Sequence, residues 1–105
     1  WLSPEQFIIL PISEKFHEYA ENVRQLLKNY DICGPIDKRA ETTGRKIRDA
    51  EISKIPFIIV IGEREEKEKK ITVRKHGGEN IGSITTRDFI KMLQKEINEL
   101  IKFNN

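Results

Sequence analysis

The side chains that most often catalyse reactions or bind metals are few in this sequence, and they lie far apart. There are two histidines, His17 and His76, and one cysteine, Cys33. Their separation argues against a zinc site, and a lone cysteine is typical of a buried thiol. Gly77-Gly78 lacks the helix and the lysine of a phosphate-binding loop, and no serine lies in a nucleophile-elbow motif. The residues therefore predict no active site, no metal and no cofactor in this chain.

The charge of the chain permits a nucleic-acid partner without requiring one. Charged residues make up 34% of the sequence, the formal net charge is +2 and the isoelectric point is near 8.7. Residues 63–70 are all charged, and this run predicts a solvated hairpin turn. The residues alone leave two classes open. One is a nucleic-acid-binding module, and the other is a flavodoxin-like domain that binds a small ligand or another protein.

The elements that position these side chains are predicted from apolar patterns. Apolar runs predict strands at residues 6–12, 32–36, 57–61, 71–74 and 81–84. The third run is continuously apolar, which indicates a strand covered on both faces. The second is interrupted by Gly34-Pro35 and is weaker. In the fourth, side chains alternate, so Arg74 shares a face with Thr72 and lies away from the apolar face.

Helical spacing of apolar residues predicts three helices. The first helix begins after Ser13, a polar residue that can cap it. The second spans residues 45–55 and ends before Pro56. The third begins after Thr85, which can also act as a cap. The last has a predicted buried stripe of Phe89, Met92, Leu93, Ile97, Leu100 and Ile101. Strands that alternate with helices indicate parallel pairing, whereas the short connection after Ile61 permits a hairpin. The predicted sheet is therefore mixed.

The length of the chain, 105 residues, is that of one domain, and the sequence contains no internal repeat. It begins with Trp1 and lacks the pattern of a signal peptide, which predicts a domain excised from a longer protein. No apolar run approaches the roughly 18 residues that cross a bilayer. We therefore expect no membrane partner.

Three groups of motifs carry a resemblance to a known family. They are Trp1-Leu2-Ser3-Pro4-Glu5-Gln6; Asp37-Lys38-Arg39 with Gly44-Arg45-Lys46-Ile47-Arg48, Pro56 and Gly62; and Val73-Arg74, Gly78 and Gly82-Ser83. This pattern resembles the C-terminal anticodon-binding domain of threonyl-tRNA synthetases, which are class II enzymes. It matches that family in more motifs than it matches the related domains of the histidine, proline and glycine enzymes.

The resemblance implies an α/β fold with three layers, α/β/α. In it, a five-stranded mixed sheet with one antiparallel strand lies between three helices. Residues 1–105 would be a single anticodon-binding domain from the C-terminus of a larger, cytoplasmic threonine–tRNA ligase. ATP, threonine and zinc would bind to a catalytic domain outside this chain, and that domain would form the homodimer. The chain by itself is expected to be a monomer without a cofactor or catalytic activity.

The resemblance also implies which residues bind RNA, with the anticodon loop of threonine tRNA as the partner. The predicted RNA-binding residues are Arg39, Arg48, Lys54, Glu65, Arg74 and Lys75. Threonine anticodons have G in the middle and U in the third place. An arginine fork matches O6 and N7 of guanine and a carboxylate matches N1–H and N2–H₂, so we expect Arg74 and Glu65 to bind one guanine. Ala40 replaces the family's asparagine and removes one hydrogen bond. The alternative is that a domain of the same fold binds other proteins or has another non-catalytic accessory role.

Overall fold

The computed structural model describes the backbone of residues 6–104 and the side chains of residues 6–95. The motif at residues 1–5 and the predicted burial of Ile97, Leu100 and Ile101 lie outside this description. The elements are β1 (Phe7–Pro11), α1 (His17–Lys28) after a 3₁₀ turn (Glu14–Phe16), α2 (Thr43–Ile52), β2 (Phe57–Ile61), α3 (Glu63–Glu68), β3 (Ile71–Lys75), β4 (Glu79–Ile84) and α4 (Thr86–Asn104).

The sheet is mixed, as predicted, with the strand order β1-β2-β3-β4. β1 and β2 are parallel, whereas β3 is antiparallel to both of its neighbours, β2 and β4. β3 is therefore the one strand of this sheet that runs opposite to the others. The prediction of five strands is wrong for the part of the chain that the structure describes, since this sheet has four.

The missing strand is the one predicted at residues 32–36. This segment does lie beside β1, where the amide of Ile9 donates to the carbonyl of Pro35 and the amide of Asp37 donates to that of Ile9. It forms only one isolated parallel bridge, between Ile9 and Ile36. Pro35 has no amide hydrogen to donate, so a regular ladder cannot continue through it. The segment follows the sheet edge without becoming a strand.

The second correction concerns the charged run at residues 63–70, which forms the helix α3 instead of a hairpin turn. The described elements thus include four helices where three were predicted. Three acidic residues lie in the first turn, where they complement the helix dipole. The carboxylate of Glu65 accepts a hydrogen bond of 2.7 Å from the amide of Gly62, and the helix ends at Lys69 in the left-handed conformation. Local capping therefore favours a helix in a segment without any apolar face.

The two faces of the sheet are covered by different layers. One face packs on α1 and α4, with Phe57 and Phe89 in an edge-to-face contact of 5.4 Å between ring centroids. We call this the α1/α4 side. The other face packs on α2 through the buried residues Leu10, Ala50, Ile55 and Ile58, and we call it the α2 side. The predicted three-layer arrangement is therefore present, and β2 is buried on both faces as its sequence predicts.

The cap predicted for α4 at Thr85 is confirmed, and α2 has a cap at Thr42 that was not predicted. Thr42 accepts a hydrogen bond from the amide of Arg45, and Thr85 accepts one from the amide of Asp88. Cys33 differs from its prediction, because it is exposed and not buried. Its backbone pairs with Gln6 next to β1, and its side chain lies on the outside. None of the described helices is long and apolar enough to cross a membrane.

Candidate nucleic-acid interface

Arg74 and Lys75 lie on opposite faces of the sheet, as their alternation in β3 requires. Arg74 pairs with Ile58, which belongs to the apolar cluster of the α2 side. Lys75 pairs with Phe57, which belongs to the core of the α1/α4 side. Residues directly opposite each other in neighbouring strands share a face. Arg74 therefore lies on the α2 side and Lys75 on the α1/α4 side.

The α2 side carries polar residues wherever α2 does not cover it. Thr72 pairs with Ser83, and Arg74 pairs with Asn80 across β3 and β4. Asn80 and Ser83 are exposed, and Thr72 and Arg74 are partly buried. We call these four residues the β3–β4 polar face. An open sheet face of this kind can contact single-stranded RNA, whose bases are unstacked and present their edges.

The guanidinium of Arg74 is only partly satisfied. Its Nε is buried and has no hydrogen-bond acceptor among the residues that the structure describes. A buried polar atom without a partner is uncommon and costs free energy. Because Nε has almost no exposed surface, a bound molecule can supply an acceptor only after the Arg74 side chain turns.

Glu65 lies on the same side, at the other end of β3. Its Oε1 accepts from the amide of Gly62 at 2.7 Å, and its Oε2 accepts from the hydroxyl of Thr72 at 3.2 Å. Thr72 is two residues from Arg74 on the same face. An ionised carboxylate has about four acceptor positions, so Glu65 can still accept further hydrogen bonds. The capping role of Glu65 fixes the direction of its carboxylate.

Arg48 lies on the outer face of α2, together with Arg45 and Ile52. Among the residues with described side chains it makes no ion pair or hydrogen bond, and its side chain is exposed. It lines a shallow groove of about 620 Å³, to which the apolar side chain of Ile52, 70% exposed, also contributes. A cation beside an exposed apolar surface suits contact with a phosphate and an unstacked base.

Lys54 has its backbone fixed by the end of α2. It adopts the left-handed conformation with φ of 58°, and its amide donates to the carbonyl of Glu51. The amide of Ile55 donates to the carbonyl of Ala50, and these two residues share the apolar cluster of the α2 side. These are the hydrogen bonds and the apolar contact of a Schellman motif. They hold the exposed Lys54 side chain at the end of α2.

Arg39 is bound by carboxylates of its own chain. Its Nε and Nη2 donate to the carboxylate of Asp37 at 2.9 and 2.8 Å, and Nη2 also donates to Asp49 on α2 at 2.9 Å. These bonds lower the pKa of Asp37 against the opposing effect of its burial, and they raise the pKa of Arg39. Arg39 therefore ties the segment before α2 to α2, and its charge is largely matched.

Lys46 is a residue whose position the sequence reasoning missed. It is only 4% exposed, and its Nζ donates to the carbonyls of Asp37 at 3.1 Å and Pro11 at 3.4 Å. A buried lysine requires partners of this kind. The sequence does indicate this burial, because Lys46 lies four residues before the buried Ala50 and therefore on the same face of the helix. Together with Arg39, Lys46 forms what we call the α2 clamp.

The predicted RNA-binding residues are thus divided among four places. Glu65 and Arg74 share the α2 side of β3, Arg48 and Lys54 lie on α2, and Lys75 lies on the opposite face of the sheet. Arg39 belongs to the α2 clamp, and Ala40 lies exposed in the same segment. The described side chains contain no cluster of His, Cys, Asp and Glu that could hold a metal ion.

Comparison with known proteins identifies the family. A family model described as "Anticodon binding domain" matches residues 6–96. The chain belongs to the anticodon-binding domain family. Its resemblance to the domain found in threonyl-tRNA synthetases is confirmed by individual relatives.

Two of these relatives are the threonine–tRNA ligases of Cytophaga hutchinsonii and Flavobacterium johnsoniae. The first is 56% identical over 97 residues and the second 49% identical over 104 residues, which cover 92% and 97% of this chain. The chain spans only 15% and 16% of the lengths of these relatives. A solved structure, the RNA-binding domain of threonyl-tRNA synthetase from Cryptosporidium parvum, is similar to this chain with a TM-score of 0.83 and 35% sequence identity. The match covers 90% of this chain and 24% of the chain in that structure.

Proposed function

We propose that this anticodon-binding domain binds the anticodon loop of threonine tRNA and recognises its middle G and third U. The observation that carries the proposal is Arg74, whose buried Nε has no acceptor among the described residues and which lies on an open polar sheet face. The family membership supports tRNA as the ligand. The likeness to threonine–tRNA ligases supports the choice of the threonine anticodon.

The middle G would be bound between Arg74 and Glu65. The Arg74 side chain would turn so that its guanidinium donates to O6 and N7 of the base, which supplies the missing acceptor for Nε. The carboxylate of Glu65 accepts from N1–H and N2–H₂ while it keeps its bonds to Gly62 and Thr72. Adenine has a donor in place of O6 and no 2-amino group. It would therefore lose contacts with both side chains.

Arg48 and Lys54 would contact the loop from α2. Both are exposed cations, and Arg48 lines the groove next to Ile52. Phosphate contacts from such residues orient the loop, and base contacts supply specificity. The net charge of +2 limits the number of phosphates that can be neutralised, so affinity should be weak and depend on salt.

The catalytic chemistry would belong to the remainder of a longer protein. We infer that the full protein is a cytoplasmic threonine–tRNA ligase, in which ATP, threonine and zinc bind outside this chain and a homodimer forms. The domain positions tRNA for aminoacylation there. The 105-residue chain by itself would be a monomer without activity, so it should give no threonine-dependent ATP–pyrophosphate exchange.

The test is a titration of the 105-residue chain with three anticodon stem-loops at near-physiological salt. One carries the threonine anticodon, one has A in place of the middle G, and one has C in place of the third U. We expect the middle change to weaken binding by ~1–3 kcal/mol, because a bidentate base contact is lost. Equal binding of all three loops would contradict the proposal and favour a protein-interaction role.

A further inference from the structure

A bulge in β4 determines which of its side chains lies beside Arg74. Strict alternation from Ser83 would place Ile81 on the α2 side and Asn80 on the α1/α4 side. The pairing instead passes from Gly82 to Asn80 without using Ile81, which is the extra residue of a β-bulge. Ile81 packs against the core of the α1/α4 side, and Asn80 lies opposite Arg74 on the α2 side.

The backbone of Gly82 makes this bulge possible. Its φ of 98° lies in the region that L side chains rarely adopt. A Cβ added at Gly82 would meet nothing within 4 Å, so glycine is required by the backbone conformation and not by lack of space. Bulges often redirect a side chain next to a functional site. Here the redirected residue is Asn80.

We propose that Asn80 is a further specificity-determining residue, which hydrogen-bonds to the anticodon base that Arg74 contacts. This inference rests on the proposed function. Directly opposed residues have Cβ atoms about 5 Å apart, so both side chains can reach one base. The Asn80 side chain is exposed and makes no hydrogen bond to any described residue. Asparagine is disfavoured in strands, so strand propensity does not account for it.

The chemistry of Asn80 complements that of Arg74 and Glu65, the two charged residues on this side of the sheet. The guanidinium of Arg74 only donates hydrogen bonds, and the carboxylate of Glu65 only accepts them. A carboxamide does both. It can therefore bind a base edge on which a donor and an acceptor are adjacent, and it adds no charge that would attract every RNA equally.

The experiment measures dissociation constants of four chains for the middle-G and middle-A stem-loops. The chains are the unmodified protein, Asn80→Ala, Asn80→Asp and the control Asn22→Ala. Asn22 is an exposed asparagine on α1. Asn22→Ala is therefore the same chemical change as Asn80→Ala, but it lies away from the α2 side. Thermal unfolding of each chain establishes that it is folded.

We expect Asn80→Ala to reduce the preference for the middle-G loop by about 3- to 10-fold, as for one lost hydrogen bond. Asn80→Asp should reduce it further, because the new carboxylate competes for Arg74. Asn22→Ala should keep the full preference. If the unmodified chain discriminates and Asn80→Ala discriminates equally well, the inference fails and the proposed function stands. An equal loss of affinity for both loops would also overturn it. If the unmodified chain shows no preference, the proposed function fails and the inference with it.

Discussion

The two faces of the sheet differ in what covers them. Among the described side chains, the core of the α1/α4 side contains fifteen buried residues, which come from β1, β2, β3, α1 and α4, with Phe16 of the 3₁₀ turn and Ile32 after α1. The apolar cluster of the α2 side contains four. The α2 side is instead held by polar contacts, namely the α2 clamp with Asp37, and β3 and β4 are left open there. Burial of apolar area is the main source of stability.

This difference indicates a division of roles between the two faces. A face that contacts RNA needs polar side chains in fixed positions, and these add little to a hydrophobic core. The α1/α4 side compensates by burying most of the apolar residues of the strands. Changes on the α1/α4 side should therefore affect folding, whereas changes on the α2 side should affect RNA recognition.

The largest effect is expected from Phe89→Ala on the α1/α4 side. Phe89 is fully buried and contacts the ring of Phe57 edge to face. Its truncation should lower the free energy of unfolding by ~3–5 kcal/mol, because the cavity cannot collapse fully. Urea unfolding measures this loss. The molecules that remain folded should keep the preference for the middle-G loop, and loss of that preference would contradict the division of roles.

The second prediction compares the adjacent residues Arg74 and Lys75. Arg74→Ala should remove the preference for the middle G, worth ~1–3 kcal/mol, because the bidentate base contact disappears. Lys75→Ala should lower affinity less and almost equally for both loops, since Lys75 lies on the other face. Titrations of both variants with both loops, at two salt concentrations, measure these effects.

The free energy of unfolding serves as the control for the Arg74 and Lys75 variants. Arg74→Ala should change the free energy of unfolding by less than ~1 kcal/mol, because its buried Nε has no protein partner to lose among the described residues. Full discrimination by Arg74→Ala, with loss of discrimination in Lys75→Ala, would place the recognition surface on the α1/α4 side. The comparison of the two faces would then be reversed.

Much of the fold could be predicted from the sequence because the relevant signals are local. The apolar run at residues 57–61 predicts β2 with its observed ends, since a strand buried on both faces needs no polar residue. Alternation around Arg74 predicts its face, and Thr85 predicts the start of α4. These features depend on side-chain periodicity and capping, which short stretches of sequence contain.

The features that were not predicted depend on contacts between distant segments or on a balance between competing local interactions. Pro35 prevents a ladder in a segment that still follows β1, and the apolar content of that segment does not reveal this. At residues 63–70, charge alone cannot distinguish a turn from a capped helix. The predicted strand at residues 81–84 contains Ile81 but does not reveal the bulge there, because the pairing register of β4 depends on β3. For the same reason, Asn80 was not among the predicted site residues.

The smallest predicted effect concerns the α2 clamp and acid. Hydrogen bonds from Arg39 lower the pKa of Asp37 in the folded chain below the value of about 3.9 for an unfolded aspartate. A depressed carboxyl pKa stabilises the fold above the unfolded pKa, and this stabilisation is lost as the pH falls through the folded pKa. Asp37→Asn keeps the side chain's shape but removes its charge. The variant should therefore be less stable than the unmodified chain at pH 5–7, and the difference should shrink below about pH 4. Urea unfolding between pH 7 and pH 3 measures it, with Glu18→Gln as a control for the change in net charge, since Glu18 is exposed on α1. A difference that stays constant down to pH 3 would show that the ion pair with Arg39 does not stabilise the α2 side, which would then depend on its four buried apolar residues and on Lys46.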